Sequence, residues 1–272
     1  MYVVAGVTGH TGAVVAQTLL DRKEPVRVIV RSAEKGADWK KQGAEVAVAS
    51  YDDVETMTQA LRGATGAYLL VPPNYGAQRW LESQQRTMDQ AAEAVKASGI
   101  GHVVFLSSVG GQLPDGTGPI RAVHYGEQKL GAVAKHLTIL RPSYFMDNWA
   151  PVIGLAKSQG ILPTFIAPTS TVPMISTMDI GRVAAELAGP EDYSPQQVAA
   201  ALGQILGRPV AEQAAPLSAV VPTFKSFGFS DEAAALFEEM YRAFSIGTIV
   251  YEHPTSLIRG TVTLTEALRG MV

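Results

Sequence analysis

The stretch Tyr2-Val3-Val4-Ala5-Gly6-Val7-Thr8-Gly9-His10-Thr11-Gly12 decides the fold of this chain. Tyr2 to Ala5 is a short apolar run that reads as a strand, and glycines at every third position then break it. Ala13 to Asp21 follows with Ala13, Ala16, Leu19 and Leu20 at helical spacing, so the glycines join a strand to a helix. Gly6 permits the tight turn out of the strand. Gly9 lets the backbone approach a phosphate, and Gly12 lets the helix lie close to the sheet. The helix N-terminus adds free amides and a partial positive charge. Thr8, His10 and Thr11 stand between the glycines as further candidate contacts. The strand–turn–helix setting gives the glycines their meaning as a pyrophosphate loop. No Gly-Lys-Ser/Thr follows, which excludes a Walker-type loop.

Outward from that loop, apolar runs alternate with helical patterns. Val26 to Val30, Glu45 to Ala49, Ala67 to Val71, His102 to Leu106 and Leu137 to Leu140 read as further strands. Ser83 to Ala97 reads as a helix closed by Gly99. This alternation predicts an α/β fold, a doubly wound parallel sheet with helices on both faces. Beyond about residue 150 proline and threonine become frequent and the strands lose their rhythm, while Ser194 to Leu206 and Ser230 to Phe244 read as amphipathic helices. The expected organisation is a dinucleotide-binding domain over 1–150, rejoined by 172–188. A smaller substrate or lid region, 151–171 and 189–272, is expected on the sheet's C-terminal edge.

Composition narrows the function classes. The 272 residues are 47% hydrophobic and 17% charged with net charge −3, an ordinary globular balance that gives no electrostatic reason to bind nucleic acid or an anionic membrane. There is no cysteine, so disulfides, a thiolate nucleophile and cysteine-ligated metals are excluded. The five histidines form no metal spacing, and no metal is expected. The longest uncharged stretch, Ser158 to Met178, holds Pro163, Pro168 and Pro173 and makes a poor membrane helix. The expectation is a cytoplasmic protein with a small-molecule substrate, open to forming oligomers.

The end of the second strand selects the dinucleotide. A site for NAD usually places Asp or Glu about 20 residues after the glycines to hold the ribose 2′-hydroxyl. Here the strand runs into Arg31-Ser32, with Lys35 close behind, and a guanidinium suits a 2′-phosphate. The expected cofactor is therefore NADP(H) in preference to NAD(H). Further on, Tyr125-Gly126-Glu127-Gln128-Lys129 is a Tyr-x-x-x-Lys pair, and positions four apart share one helix face. A lysine cation beside a phenol favours the phenolate, which would suit Tyr125 to proton transfer, and Lys129 can also bond the nicotinamide ribose. A Tyr and a Lys four apart also recur by chance in many helices.

The Gly-x-x-Gly-x-x-Gly spacing with its Thr-Gly pair resembles the short-chain dehydrogenase/reductase superfamily, and within it the atypical, NmrA-like branch. Leu140-Arg141-Pro142-Ser143-Tyr144-Phe145-Met146-Asp147-Asn148-Trp149 resembles that branch's Arg-Pro-x-x-Phe-Met-x-Asn stretch. Ile175 to Arg182, Gly189 to Pro195 and Gly207 to Val210 continue the likeness. The resemblance implies that Leu70, Val71 and Pro72 line the ribose and pyrophosphate. It makes Ser108 the strand-end serine that meets a substrate carbonyl, with Ser107 beside the cofactor. Family members often carry Asp at the position of Ser50, so no adenine contact is assigned there; Asp52 is a substitute, and Asp52 or Asp53 can instead cap the next helix. NmrA-like proteins often lack the tyrosine, keep the lysine and hold a histidine nearby, as His124 is here. Asp179 reads as structural. Tyr144, Phe145 and Trp149 can form an aromatic wall for a flat substrate, or simply pack. The implied activity is NADP(H)-dependent hydride transfer to a small aromatic or quinone-like carbonyl. The alternatives are a non-catalytic NAD(P)(H) sensor and, against Arg31, an epimerase or dehydratase holding NAD.

Overall fold

The computed structural model describes residues 1–180 and 186–272. Its first half alternates strands and helices: β1 (Tyr2–Val4), α1 (His10–Asp21), β2 (Val26–Val30), α2 (Ala33–Lys41), β3 (Glu45–Val48) and α3 (Val54–Leu61). Next come β4 (Gly66–Leu70), α4 (Trp80–Ser98), β5 (His102–Leu106), α5 (Ile120–Gly131) and β6 (His136–Pro142). All six strands pair in parallel, in the order β3-β2-β1-β4-β5-β6. The order reverses between β1 and β4, which opens the crevice that binds ligands in such sheets.

Because both faces are covered, the strands are apolar throughout and alternate between two cores. Val3, Ile29, Leu69, Val103 and Phe105 face a cluster built with Met57 and Leu61 of α3, Met88 and Val95 of α4 and Leu130 of α5. Val4, Val28, Val30 and Tyr68 face the other side, against Ala16 of α1. The strand at Val26–Val30 and the strand at His102–Leu106 have the bounds their β-branched and apolar runs predict, and Gly99 closes α4 in the left-handed conformation at φ 70°. Helix α2 has no apolar stripe to announce it. It lies flat because Gly36 has no side chain: a Cβ there would sit 2.4 Å from Val46.

After β6 come β7 (Tyr144–Phe145), α6 (Ala150–Gln159), β8 (Ile161–Thr164), β9 (Val172–Ile175), α7 (Thr177–Ile180) and β10 (Glu186–Ala188). The chain ends with β11 (Asp192–Tyr193), α8 (Pro195–Leu206), β12 (Ala211–Ala214), α9 (Val220–Ser226), α10 (Asp231–Ser245), β13 (Ile258–Arg259) and α11 (Leu264–Arg269). Met146, Trp149, Ile153, Leu162, Val198 and Leu202 centre a separate apolar cluster here. Strand β10 pairs with β6 and β13 with β10, so the central sheet has eight strands among the described residues. The last of these comes from within 189–272, the stretch that the pattern alone puts in the lid. Two residues of strand are too short to carry a period. Ser194 caps α8 through a reciprocal capping box with Gln197, and Ser230 caps α10, as the sequence predicts. Buried Asp179 takes the backbone N–H of Val262 at 2.9 Å, a structural role that ties α7 to the C-terminal segment. Gly181 and Arg182, part of the family-like stretch, lie outside the described residues.

Candidate active site

A single long cleft of about 850 Å3 runs along the C-terminal edge of the sheet, over the point where strand order reverses. At one end its wall is the glycine loop. Gly6 is left-handed at φ +71°, and a Cβ there would meet Leu70 at 2.5 Å, so only glycine makes this turn without strain. A Cβ on Gly12 would sit 2.5 Å from the Ala5 and Gly6 carbonyl oxygens; this glycine lies beneath the loop and lets α1 abut β1. Gly9 is the N-cap of α1 and offers no side-chain cap. The first amides of the helix are therefore left to a ligand. Gly6, Thr8, Gly9 and Thr11 line the cleft.

Arg31 and Lys35 line the same end, both exposed, and neither forms an ion pair with a described residue. The donor set fits a pyrophosphate with a further phosphate at the end of β2: bare backbone amides for the first, two uncommitted cations for the second. Ser50 and Asp52 also line the cleft. Asp53 is the helix cap, accepting from the Thr56 amide at 3.1 Å. Leu70, Val71 and Pro72 line the middle, with Ser107 and Ser108 across from them. His10 does not line it: its ring is 75% exposed and reaches Asp147, Nδ1 to Oδ1 3.5 Å.

The Tyr-x-x-x-Lys pair lies elsewhere. The Tyr125 hydroxyl donates to both oxygens of Asp89 on α4, at 2.9 and 3.1 Å, and Lys129 Nζ pairs with the same carboxylate at 2.8 Å. Asp89 holds the Lys129 ammonium above its ordinary pKa, with Tyr125 helping. Neither residue lines the cleft. Ile120, Ala122 and Val123 of α5, and Pro119 just before it, do. The Tyr125 hydroxyl reaches Asp89, so its side chain points toward α4. The two residues share a face as their spacing requires, and the structure turns that face to α4. Trp149 is also absent from the cleft; it is buried in the C-terminal cluster. Tyr144 and Phe145 do line the cleft, and burial raises the Tyr144 phenol well above its ordinary pKa.

Two features escaped the sequence. Ser107 Oγ donates to Glu127 at 2.5 Å, and Arg141 grips Glu127 with two bonds of 2.9 and 2.7 Å while also contacting Glu252 of the C-terminal segment. Glu127 stands inside the Tyr-x-x-x-Lys motif and Arg141 inside the Arg-Pro stretch, but a bridge between residues 14 apart has no local signature. His124 is held at both ring nitrogens: its Nδ1 meets the Gly111 carbonyl at 2.8 Å and its other nitrogen meets Gln128. The second missed feature is the far wall of the cleft, where Tyr75, Trp80, Phe237, Met240 and Phe244 gather from α4, α10 and the loop before α4. Tyr75 stacks on Phe229 at 4.5 Å between ring centroids, and its carbonyl takes the Ser230 amide at 2.8 Å, joining that loop to α10. Aromatic residues 150 positions apart give no pattern to read. Among the described residues no cluster of His, Asp and Glu could hold a metal ion, and no helix is long and apolar enough to cross a membrane.

Known proteins carry the same plan. The chain is 29% identical over 227 residues to the (4-alkanoyl-5-oxo-2,5-dihydrofuran-3-yl)methyl phosphate reductase of Streptomyces griseus, covering 77% of this chain and 75% of that one. It is 25% identical over 257 residues to the NAD(P)H azoreductase of Xenophilus azovorans, covering 89% and 86%. The NADPH-dependent quinone oxidoreductase of Escherichia coli, solved in complex with NADPH, superposes with a TM-score of 0.83 at 22% identity, over 100% of this chain and 99% of that one. The NmrA-like family matches residues 2–253, and with the glycine loop, the sheet order and the cleft in place this chain belongs to that family.

Proposed function

We propose that the protein is an NADP(H)-dependent oxidoreductase that reduces small, flat, aromatic or quinone-like carbonyl compounds. The observation that carries this reading is the single cleft itself, with a glycine and cation end, an aromatic end, and Ser107 and Ser108 between them. Gly6, Thr8, Gly9, Thr11 and the first amides of α1 hold the pyrophosphate, while Arg31 and Lys35 grip the ribose 2′-phosphate. Leu70, Val71 and Pro72 line the ribose. NADPH bound there supplies a hydride equivalent.

The chain's own groups orient the acceptor. The Ser108 hydroxyl donates to the acceptor's carbonyl oxygen, and Tyr144 and Phe145 hold a flat ring against the sheet edge. Glu127, fixed by Arg141, accepts the Ser107 proton and so leaves the Ser107 oxygen free to take a donor from the ligand. The committed geometry of Tyr125 and Lys129 bears on substrate class. With no tyrosine–lysine acid at the reacting end, acceptors whose reduced oxygen takes its proton from water are favoured, and quinones are such acceptors. The azo and quinone reductases among the relatives support the same class.

The deciding experiment titrates the protein with NADPH and with NADH by fluorescence, then offers a quinone and aldehyde panel. NADPH is expected to bind at least tenfold more tightly than NADH and to reduce quinones. In Arg31→Ala that preference falls by about thirtyfold, the loss of one charged hydrogen bond of about 2 kcal/mol. Binding without turnover of any acceptor would favour the sensor reading, and NADH binding as tight as NADPH would remove the role of Arg31.

A further inference from the structure

We propose that Gln84 and Trp80 are the specificity residues of the acceptor half of the cleft. Together they select uncharged aromatic or quinoid acceptors that carry a hydrogen-bonding substituent such as a hydroxyl or an amide. The proposal rests on the oxidoreductase reading and deepens it.

Trp80, Gln84 and Met88 form a stripe along α4 that faces α5. Trp80 clusters with Ala122 of α5 and with Ala233 and Leu236 of α10. One turn beyond Gln84, Met88 meets α5 at Gly126, where a Cβ would lie 3.1 Å from the methionine methyl. Gln84 therefore stands between these two contacts, near Val123, one of the α5 residues that line the cleft, and Trp80 and Gln84 themselves line it. Both are buried, at 4% and 1% exposure, yet the Gln84 amide oxygen and the Trp80 indole nitrogen have no hydrogen-bond partner among the described residues.

Buried polar groups are nearly always paired, because stripping one of water without replacement is costly. A leucine at position 84 would pack between these helices at no such cost. Two unpaired polar atoms, one an acceptor and one a donor, on residues one turn apart that line a ligand cleft match a ligand group that both donates and accepts. The amide can also turn over, so Gln84 offers either end. Around them the wall is uncharged: Tyr75, Val123, Phe237, Met240 and Phe244 are joined by the neutral polar Asn74, Ser83 and Thr87, and the cations Arg31 and Lys35 belong to the opposite end. An anionic substituent there would be desolvated without a counter-ion, so the group read by Gln84 is neutral.

The test measures kcat/KM, with saturating NADPH, for three matched 1,4-benzoquinones bearing an ethyl, a 2-hydroxyethyl or a 2-carboxyethyl arm. The hydroxyethyl compound is expected to lead the ethyl compound by about tenfold, the worth of a neutral hydrogen bond, with the carboxyethyl compound behind both. In Gln84→Leu, and in the closer-fitting Gln84→Met, the ratio of hydroxyethyl to ethyl falls to near one. Calorimetric affinities for the three compounds with NADP+ bound are expected to rank in the same order. A wild-type ratio near one, a ratio that survives in either variant, or a preference for the carboxylate overturns the proposal and leaves the reductase reading standing. Failure to reduce any of the three by protein that binds NADPH overturns both.

Discussion

At one end of the cleft the wall is main chain: Gly6, Thr8 and Gly9 turn bare backbone toward the ligand, within one stretch of the first dozen residues. At the other end it is side chain. Tyr75, Trp80, Val123, Tyr144, Phe237 and Phe244 come from five separate segments of the chain. A site made of main chain needs a particular turn, and a particular turn needs glycines at fixed intervals, so it leaves a motif. A site made of side chains needs only that distant elements bring suitable surfaces together. On the proposed reading, the first half recognises the part of the ligand pair that never changes, and the second can be refitted to a new acceptor one residue at a time.

The sharpest way to break one half alone is Gly12→Val. The added Cβ would stand 2.5 Å from two backbone carbonyl oxygens, and neither oxygen can move without shifting β1 or the loop. NADPH affinity is expected to fall more than hundredfold in a fluorescence titration, a loss of about 3 kcal/mol or more. The aromatic wall is not touched by the change. Binding of NADPH within tenfold of the parent would mean that the close approach of α1 to β1 is not what shapes the loop.

The same contrast explains what was legible. The parallel sheet could be read because strands buried on both faces are unbroken apolar runs, as in Val26–Val30 and His102–Leu106. The caps at Ser194 and Ser230 could be read because a hydroxyl before a helix acts locally. Helix α2 could not, since Gly36 and Trp39 are its main inward contacts. The Tyr-x-x-x-Lys spacing fixes that two side chains share a face and says nothing of which way the face turns. That direction is set by Ile120, Ala122, Gly126 and Leu130, the buried positions of α5, through packing against α4 and β5. The Glu127–Arg141–Glu252 bridge joins residues up to 125 apart and is a property of the folded chain alone.

That bridge offers a smaller test of how the acceptor half is held closed. Gln112 donates to the Val250 carbonyl at 3.0 Å, and Glu252 meets Arg141, so the C-terminal segment is tied over the turn after β5. Arg141 holds the Glu252 carboxyl below its ordinary pKa. A carboxylate with a depressed folded pKa contributes stability that is complete above its unfolded value and is lost as pH falls through the folded one. Glu252 is 42% exposed, so water screens the pair and its worth is about 0.5 kcal/mol. Glu252→Gln should lower Tm by about 1–2 °C at pH 7. The gap should close as pH drops below the ordinary glutamate value, 4.5. A gap that stays constant down to acid pH would show that the segment is held by its apolar contacts instead.

Little effect on turnover is expected from the residue that looked most catalytic. Tyr125→Phe removes a hydroxyl that donates only to Asp89, on a face of α5 that the cleft does not reach. Lys129 keeps its own 2.8 Å pair with Asp89, so that carboxylate is not stranded. Quinone turnover is then expected to stay within about threefold of the parent, and NADPH affinity within about twofold, since a half-exposed hydrogen bond is worth at most about 1 kcal/mol. The measurement is a pH profile of kcat/KM for parent and variant side by side. If Tyr125 delivered the proton, the variant would lose turnover by a hundredfold or more while still binding NADPH, and the parent's alkaline limb would vanish with the phenol. Superimposable profiles would instead place the motif outside both halves of the cleft, as a clasp between α4 and α5. They would leave water as the proton source for an acceptor that needs only a hydride and a hydroxyl to hold it.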